Sequence, residues 1–157
     1  MTPTALRTAE LGATGLKITR VGFGAWAIGG GGYEWGWGPQ DDEDSIAAIR
    51  HAVALGVNWI DTAAHYGFGH SERVIGRALA GVEPRPYVFT KGGLPEGPGR
   101  TTTRSLRRDS LLREVEGSRE RLGVEAIDLY QSHWPDPEPD IGEGWEALAE
   151  LKEQGLV

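Results

Sequence analysis

The stretch NWIDTAAHYG, Asn58 to Gly67, ends an apolar run on a carboxylate and places a phenol five residues later. Further along, Lys91 closes the run YVFT, and His133 follows AIDLYQS. Together these four side chains can move a proton. A free phenol has a pKa near ~10, too high for easy donation at neutral pH. An ammonium ~4 Å away, at an effective dielectric of ~20, attracts a phenolate by roughly 4 kcal/mol before screening, equivalent to a fall of as much as ~3 in that pKa. The expected arrangement is Asp61 holding Lys91 charged and oriented, Lys91 acidifying Tyr66, Tyr66 acting as general acid, and His133 orienting or helping to protonate the same oxygen. An acid with no nucleophile and no metal suits reduction of a carbonyl by an external hydride, which calls for a nicotinamide cofactor. Each residue also has a plainer reading. Asp61 is then a helix cap, Tyr66 an exposed loop aromatic, and His133 a partner for a buried carbonyl. Lys91 is a solvated strand end, or the Schiff-base lysine of an aldolase barrel.

The elements must bring these four together. LRTAELGATGLKITRVGFGAW reads as a hairpin turning at GATG and leading into a strand. After a glycine-rich loop, DEDSIAAIRHAVALG has helical spacing at Ile46, Ile49, Ala52, Val53 and Leu55, with acids at its front and Gly56 at its end. A strand VNWIDTA, a helix SERVIGRALAG opened by Ser71, a strand YVFTK and a helix LLREVEGSRERLG follow. A strand AIDLYQSHW and a helix WEALAELKEQG complete the order. A hairpin and four strand-to-helix units imply a parallel sheet with right-handed crossovers. Two architectures fit, an open doubly wound sheet or part of a (β/α)8 barrel. Asp61, Lys91 and His133 stand at the C-terminal ends of successive strands, the face where barrels place their active sites. Alternation then puts Trp59 on the face of Asp61, and Phe89 and Tyr87 on that of Lys91. A full barrel needs about 250 residues, so residues 1–157 are expected to be one domain, the N-terminal half of a barrel ending before its fifth strand.

Bulk properties narrow the function. The formal charge is −7, which argues against a nucleic-acid surface. There is no cysteine, hence no disulfide framework and no thiolate site. No stretch is long and apolar enough to cross a bilayer, the N-terminus has no signal-like apolar segment, and a cytoplasmic protein is the default. GFGAWA, Gly22 to Ala27, matches a dinucleotide fingerprint by letter but runs into glycines instead of a helix. His65 and His70 flank a glycine loop near Asp61. Their spacing fits no helix-face metal pair, so they read as surface loop residues and no metal is expected. Arg100, Arg104, Arg107 and Arg108 read as a solvated run, with contact to an anionic ligand as the alternative.

The motifs DTAAHYG, FTKGG and QSHWPDP, preceded by GFGAWAIGG and the hairpin ELGATGLKITRVG, resemble the aldo-keto reductase superfamily. The resemblance implies a (β/α)8 barrel plugged at its bottom by the hairpin, reducing aldehydes and ketones with NADPH or, less often, NADH. Position by position, it makes Tyr66 the proton donor, tuned by Lys91 and Asp61, with His133 positioning the carbonyl. It brings Gly24, Ala25, Trp26 and Asp61 to the nicotinamide end of the cofactor. Ala25 stands where the family often has a hydroxyl residue, and the family's main cofactor grip lies on loops after strands five, seven and eight. Trp26, Trp35 and Trp134, with Trp37 beside them, are candidates for an apolar wall against a small carbonyl substrate, or alternatively a cover for the barrel rim. Two other expectations attach to the fold. A non-catalytic redox-sensing or assembly module of the same architecture is the alternative function. A half-barrel with two open strand edges should also self-associate or recruit its missing half.

Overall fold

The computed structural model describes residues 5–135 and 141–157. It opens with the expected hairpin, β1 (Thr8–Glu10) against β2 (Lys17–Thr19), antiparallel. Its turn is closed by Leu11 N–H on the Leu16 carbonyl at 2.9 Å. Then come β3 (Phe23–Gly24), α1 (Asp42–Ala54), β4 (Trp59–Asp61), α2 (His70–Leu79), β5 (Tyr87–Gly92), the short antiparallel pair β6 (Glu96–Gly97) and β7 (Thr101–Thr102), α3 (Arg108–Leu122), β8 (Leu129–Ser132) and α4 (Ile141–Glu153).

Local chemistry sets most helix ends. The Asp41 carboxylate caps α1 by accepting the Asp44 N–H at 2.9 Å, and Asp42, Glu43 and Asp44 complement the helix dipole. Two starts differ from the sequence expectation. α2 begins after Gly69, in a left-handed conformation, and not at Ser71. The Ser71 side chain is buried, donating to the Ala25 carbonyl at 3.0 Å and meeting the Thr62 hydroxyl at 2.9 Å. α3 begins at Arg108, three residues early, despite a cation at its positive end. Residues from α4 compensate: Glu143 accepts the Arg108 N–H at 3.1 Å and Glu150 accepts its Nε–H at 2.6 Å.

The main sheet is parallel, in the order β3-β4-β5-β8. Sequential order leaves no switch point, so the doubly wound alternative falls away. Consecutive helices pack on one another, α1 on α2, α2 on α3, α3 on α4, making one layer over one face. Ile60, Val88, Thr90 and Tyr130 are buried and alternate with Trp59, Asp61, Phe89, Lys91 and Gln131 along their strands. The core beneath the helices contains Ile49, Ile60, Ile75, Leu111, Val115 and Leu151. On the other face Trp59 and Phe89 meet at 5.2 Å between ring centroids. They form a floor one pleat below Asp61 and Lys91, as the alternation predicts. The hairpin closes the N-terminal end of the strands: the Asn58 side chain accepts the Thr19 N–H at 2.7 Å and donates to the Lys17 carbonyl at 2.9 Å. Beyond α4 the Leu156 carbonyl accepts the Ile127 N–H at 3.0 Å, so the backbone there runs alongside the approach to β8.

Ile75 is fully buried on α2. Ile75→Ala should lower stability by about 2–5 kcal/mol, read from the urea midpoint of the full-length protein. Arg113→Ala loses only an exposed pair with Asp109 and should change it by no more than about 0.5 kcal/mol.

Candidate active site

Asp61 ends β4 opposite Phe89 of β5, which leaves Lys91 one pleat further along and on the same face. Its Nζ donates to Asp61 Oδ1 at 2.8 Å, Oδ2 at 2.7 Å and the Thr62 carbonyl at 2.8 Å. Tyr66 Oη lies 3.5 Å from the same nitrogen. The chain after β4 turns tightly, with Tyr66 N–H on the Ala63 carbonyl at 3.1 Å, and so folds the phenol back over the lysine. Gly67, at φ +64°, follows directly; a Cβ there would lie 2.2 Å from the Gly29 carbonyl oxygen. Only glycine allows the loops after β3 and β4 to touch here. His133 enters from β8, its N–H on the Gly92 carbonyl at 2.9 Å, and its ring stands 5.6 Å from that of Tyr66, edge to face. The four sequence-predicted catalytic residues thus converge on one rim.

Their electrostatics differ from expectation in one respect. The Tyr66 phenol is pushed up to about 12, first by burial and then by the Asp61 charge. The expected acidification is outweighed: burial disfavours the phenolate, and the Lys91 ammonium makes its shorter contacts with Asp61 and Thr62. His133 is lowered to about 4, by burial first and then by Lys91 and His65, against an opposing pull from Asp61. It is therefore a neutral imidazole at physiological pH. Its Nδ1 is buried with no hydrogen-bond partner among the described residues.

The other predicted residues divide. Gly24 is exposed with open space above it, and Trp26 is 43% exposed. Ala25 does not share that rim: it is 1% exposed, its N–H donates to the Asp61 carbonyl at 2.9 Å, and its carbonyl takes the Ser71 hydroxyl. It braces the site from the core side and offers a cofactor no free group. The indoles are contiguous. Trp26 donates to the Trp35 carbonyl at 2.9 Å and meets Trp37 at 5.0 Å, while Trp35 meets Trp134 at 5.9 Å and Trp134 meets His133 at 5.8 Å. His65 is not a surface residue: it is 4% exposed, wedged among Tyr33, Phe68 and His133. His70 instead clasps Asp42 of α1 at 2.8 Å. Among the described residues no three groups are placed to hold a metal. The arginine run is not simply solvated either, since Arg100 lies over Phe68 at 5.2 Å and Arg104 over Trp134 at 5.1 Å.

Sequence reading missed the support behind β5. Glu72 of α2 is fully buried, accepting the Thr90 hydroxyl at 2.7 Å and Arg121 Nε–H at 2.7 Å. Glu114 of α3 accepts the Gly93 N–H at 3.1 Å. A signal existed in α3: Glu114 falls three residues after Leu111 and four before Ser118, on the stripe that faces the core.

Comparison with known proteins matches this arrangement. The Aldo/keto reductase family model covers residues 20–157. The chain belongs to the aldo/keto reductase family. It is 41% identical over 146 residues to the aldo-keto reductase YhdN of Bacillus subtilis, covering 92% of this chain and 43% of that one. It is 37% identical over 166 residues to the NADH-specific methylglyoxal reductase of Escherichia coli, covering 97% and 50%. Among solved structures, an aldo-keto reductase from Bacillus halodurans in holo form superposes with TM-score 0.84 at 28% identity, covering 96% of this chain and 48% of that one. The chain therefore spans about half the length of these aldo-keto reductases, and its four-stranded sheet with one helix layer is a partial (β/α)8 barrel. Among the described residues no helix is long and apolar enough to cross a membrane.

Asp61→Asn removes the carboxylate that raises Tyr66 and leaves Lys91 uncompensated beside the phenol. The Tyr66 midpoint should fall from about 12 toward the ordinary tyrosine value, with burial still holding it up, followed by the ring carbon shift of labelled tyrosine. An unmoved midpoint would contradict the charge balance described here.

Proposed function

We propose that this chain supplies the proton-donating part of an NAD(P)H-dependent oxidoreductase that reduces small aldehydes or ketones to alcohols. The observation that carries the reading is the Lys91 ammonium set between the Asp61 carboxylate, at 2.7 Å and 2.8 Å, and the Tyr66 phenol at 3.5 Å, with a neutral imidazole alongside.

NADPH, or the NADH named for one relative, supplies the hydride when bound. The residues present suit only the nicotinamide end of such a cofactor: open space above Gly24, the exposed indole of Trp26 and the partly exposed Asp61 carboxylate. Tyr66 holds its proton firmly at neutral pH, so the phenol is a donor and not a phenolate. As negative charge grows on a substrate oxygen, that proton transfers to it, and Lys91 stabilises the phenolate left behind. A neutral His133 can donate a hydrogen bond to the same oxygen without adding a buried charge. Trp26, Trp35 and Trp134 offer an apolar wall that would exclude water and admit a small carbonyl compound.

The test uses the full-length protein with NADPH or NADH and a small aldehyde. Tyr66→Phe should lower kcat by about 10²-fold or more while cofactor affinity, measured by fluorescence titration, stays within about twofold, because the lost hydroxyl acts on the substrate oxygen. A rate unchanged by that substitution removes Tyr66 from the acid role.

A further inference from the structure

The residues behind Lys91 form a second layer that the proton-transfer reading does not use. Thr90, one residue before it, is fixed by Glu72, whose charge is balanced by the Arg121 guanidinium. After it, Gly92 leaves no room for a side chain, since a Cβ would lie 2.0 Å from the Tyr130 hydroxyl. Gly93, at φ +93°, gives its N–H to Glu114 Oε2 at 3.1 Å, and Glu114 Oε1 takes the Ser110 hydroxyl at 3.2 Å. Glu114 thus differs from Glu72. It accepts from neutral donors, the Gly93 amide and the Ser110 hydroxyl among them, and forms no ion pair among the described residues.

We propose that Glu114 is a positioning residue for Lys91: by accepting the Gly93 amide proton it fixes the turn that ends β5, and with it the backbone from which the ammonium reaches Asp61 and Tyr66. The step from Glu114 to catalysis rests on the function proposed above; the step from Glu114 to Lys91 does not.

The surroundings make this contact responsive to pH. Burial pushes the Glu114 carboxyl up to about 7, against smaller opposing effects of Gly93, Ser110, the Leu94 backbone and Arg121. Arg121 of α3 is the cation acting on it, and it also serves Glu72 of α2. Tyr130 of β8 lies within the electrostatic reach of both carboxylates, with its hydroxyl buried and unpartnered among the described residues. A cleft of about 380 Å³ opens onto Glu114, shared by Arg113, by Glu96 and by Ala64 from the Tyr66 loop, and gives the carboxyl access to water. An ionised Glu114 grips the amide by a charge-assisted hydrogen bond; a protonated one grips it more weakly. A folded-state pKa above the unfolded value means the proton is bound more tightly in the folded protein. The ionised carboxylate therefore costs stability, and that cost grows as pH rises toward about 7. Positioning and stability oppose one another at this residue, which separates the proposal from a merely structural role.

The experiment follows the full-length protein by NMR with labelled glycine and lysine, in the wild type and in Glu114→Gln. The wild-type Gly93 amide proton and the Lys91 Cε carbon should shift together with a midpoint near about 7, and both transitions should vanish in the variant. A wild-type Gly93 amide that does not move through this range, or a Lys91 signal that does not move with it, overturns the proposal without needing any variant to fold. Glu114→Gln should melt no lower than wild type at pH 8, an advantage that shrinks toward pH 5. Its kcat at pH 8 should fall by about 3- to 10-fold, and the decline of wild-type kcat below neutrality should flatten. Unchanged kcat in an active variant also overturns the proposal. Coupled Gly93 and Lys91 titrations in a protein that reduces no carbonyl compound would uphold the positioning and overturn the proposed function instead.

Discussion

Everything at the rim depends on how one ammonium distributes its protons. Lys91 has three to give, and the two oxygens of Asp61 and the Thr62 carbonyl stand within 2.8 Å of it. A lysine nearly buried at 15% side-chain exposure needs that many acceptors, because an unpaired charge out of water is costly. Saturation has a second effect. Tyr66, at 3.5 Å, is near enough to feel the cation yet is not needed as its acceptor. Its hydroxyl stays free to point at something else. The phenol's raised pKa comes first from its burial and then from the Asp61 charge beside it.

The scaffold around this ion pair is built from contacts that other residues could not make. Parallel register sets Asp61 and Lys91 one pleat apart above the Trp59–Phe89 floor. Gly67 lets the Tyr66 loop press on the Gly29 carbonyl, and Gly92 lets β5 lie against Tyr130. Phe68, two residues after Tyr66, holds φ +51°, a strained value for a bulky side chain. It is kept there by Tyr33, His65 and the Arg100 guanidinium packed about its ring. Contributions from loops far apart in sequence thus fix a side chain that none of them carries.

Much of this was legible in the sequence, for physical reasons. The period of two in the strands, the period of 3.6 in the helices and the glycines that stop them are local signals, and they placed the elements with small errors at their starts. Asp61, Lys91 and His133 could be aligned because each ends an apolar run. The failures arose where a distant partner overrides local chemistry. Arg108 starts a helix because Glu143 and Glu150 of α4 reach it. Ser71 is not a cap because Ala25 and Thr62 claim its hydroxyl, and Ala25 is no rim residue for the same reason. His65 looked like a loop residue because nothing local shows that three rings enclose it. The direction of the Tyr66 pKa failed for a related cause: spacing supplied the cation, but only coordinates show how far the phenol is buried beside Asp61. Glu114 was visible as a carboxylate on a core-facing stripe, an anomaly that sequence can flag without saying what it holds.

The distribution of indoles has an optical consequence. Of six tryptophans, Trp26 with Trp37 and Trp35 with Trp134 form two edge-to-face pairs at the rim, joined by the Trp26 hydrogen bond to the Trp35 carbonyl, while Trp59 lies in the floor beneath them. The sixth, Trp145, is exposed on α4, so emission and near-ultraviolet dichroism of this protein report chiefly on the mouth of the site, with one indole on the helical layer. Rings coupled at 5.0 Å to 5.9 Å give signals that depend on their mutual angles. The molecule carries a built-in reporter of how its loops are arranged, with no label attached.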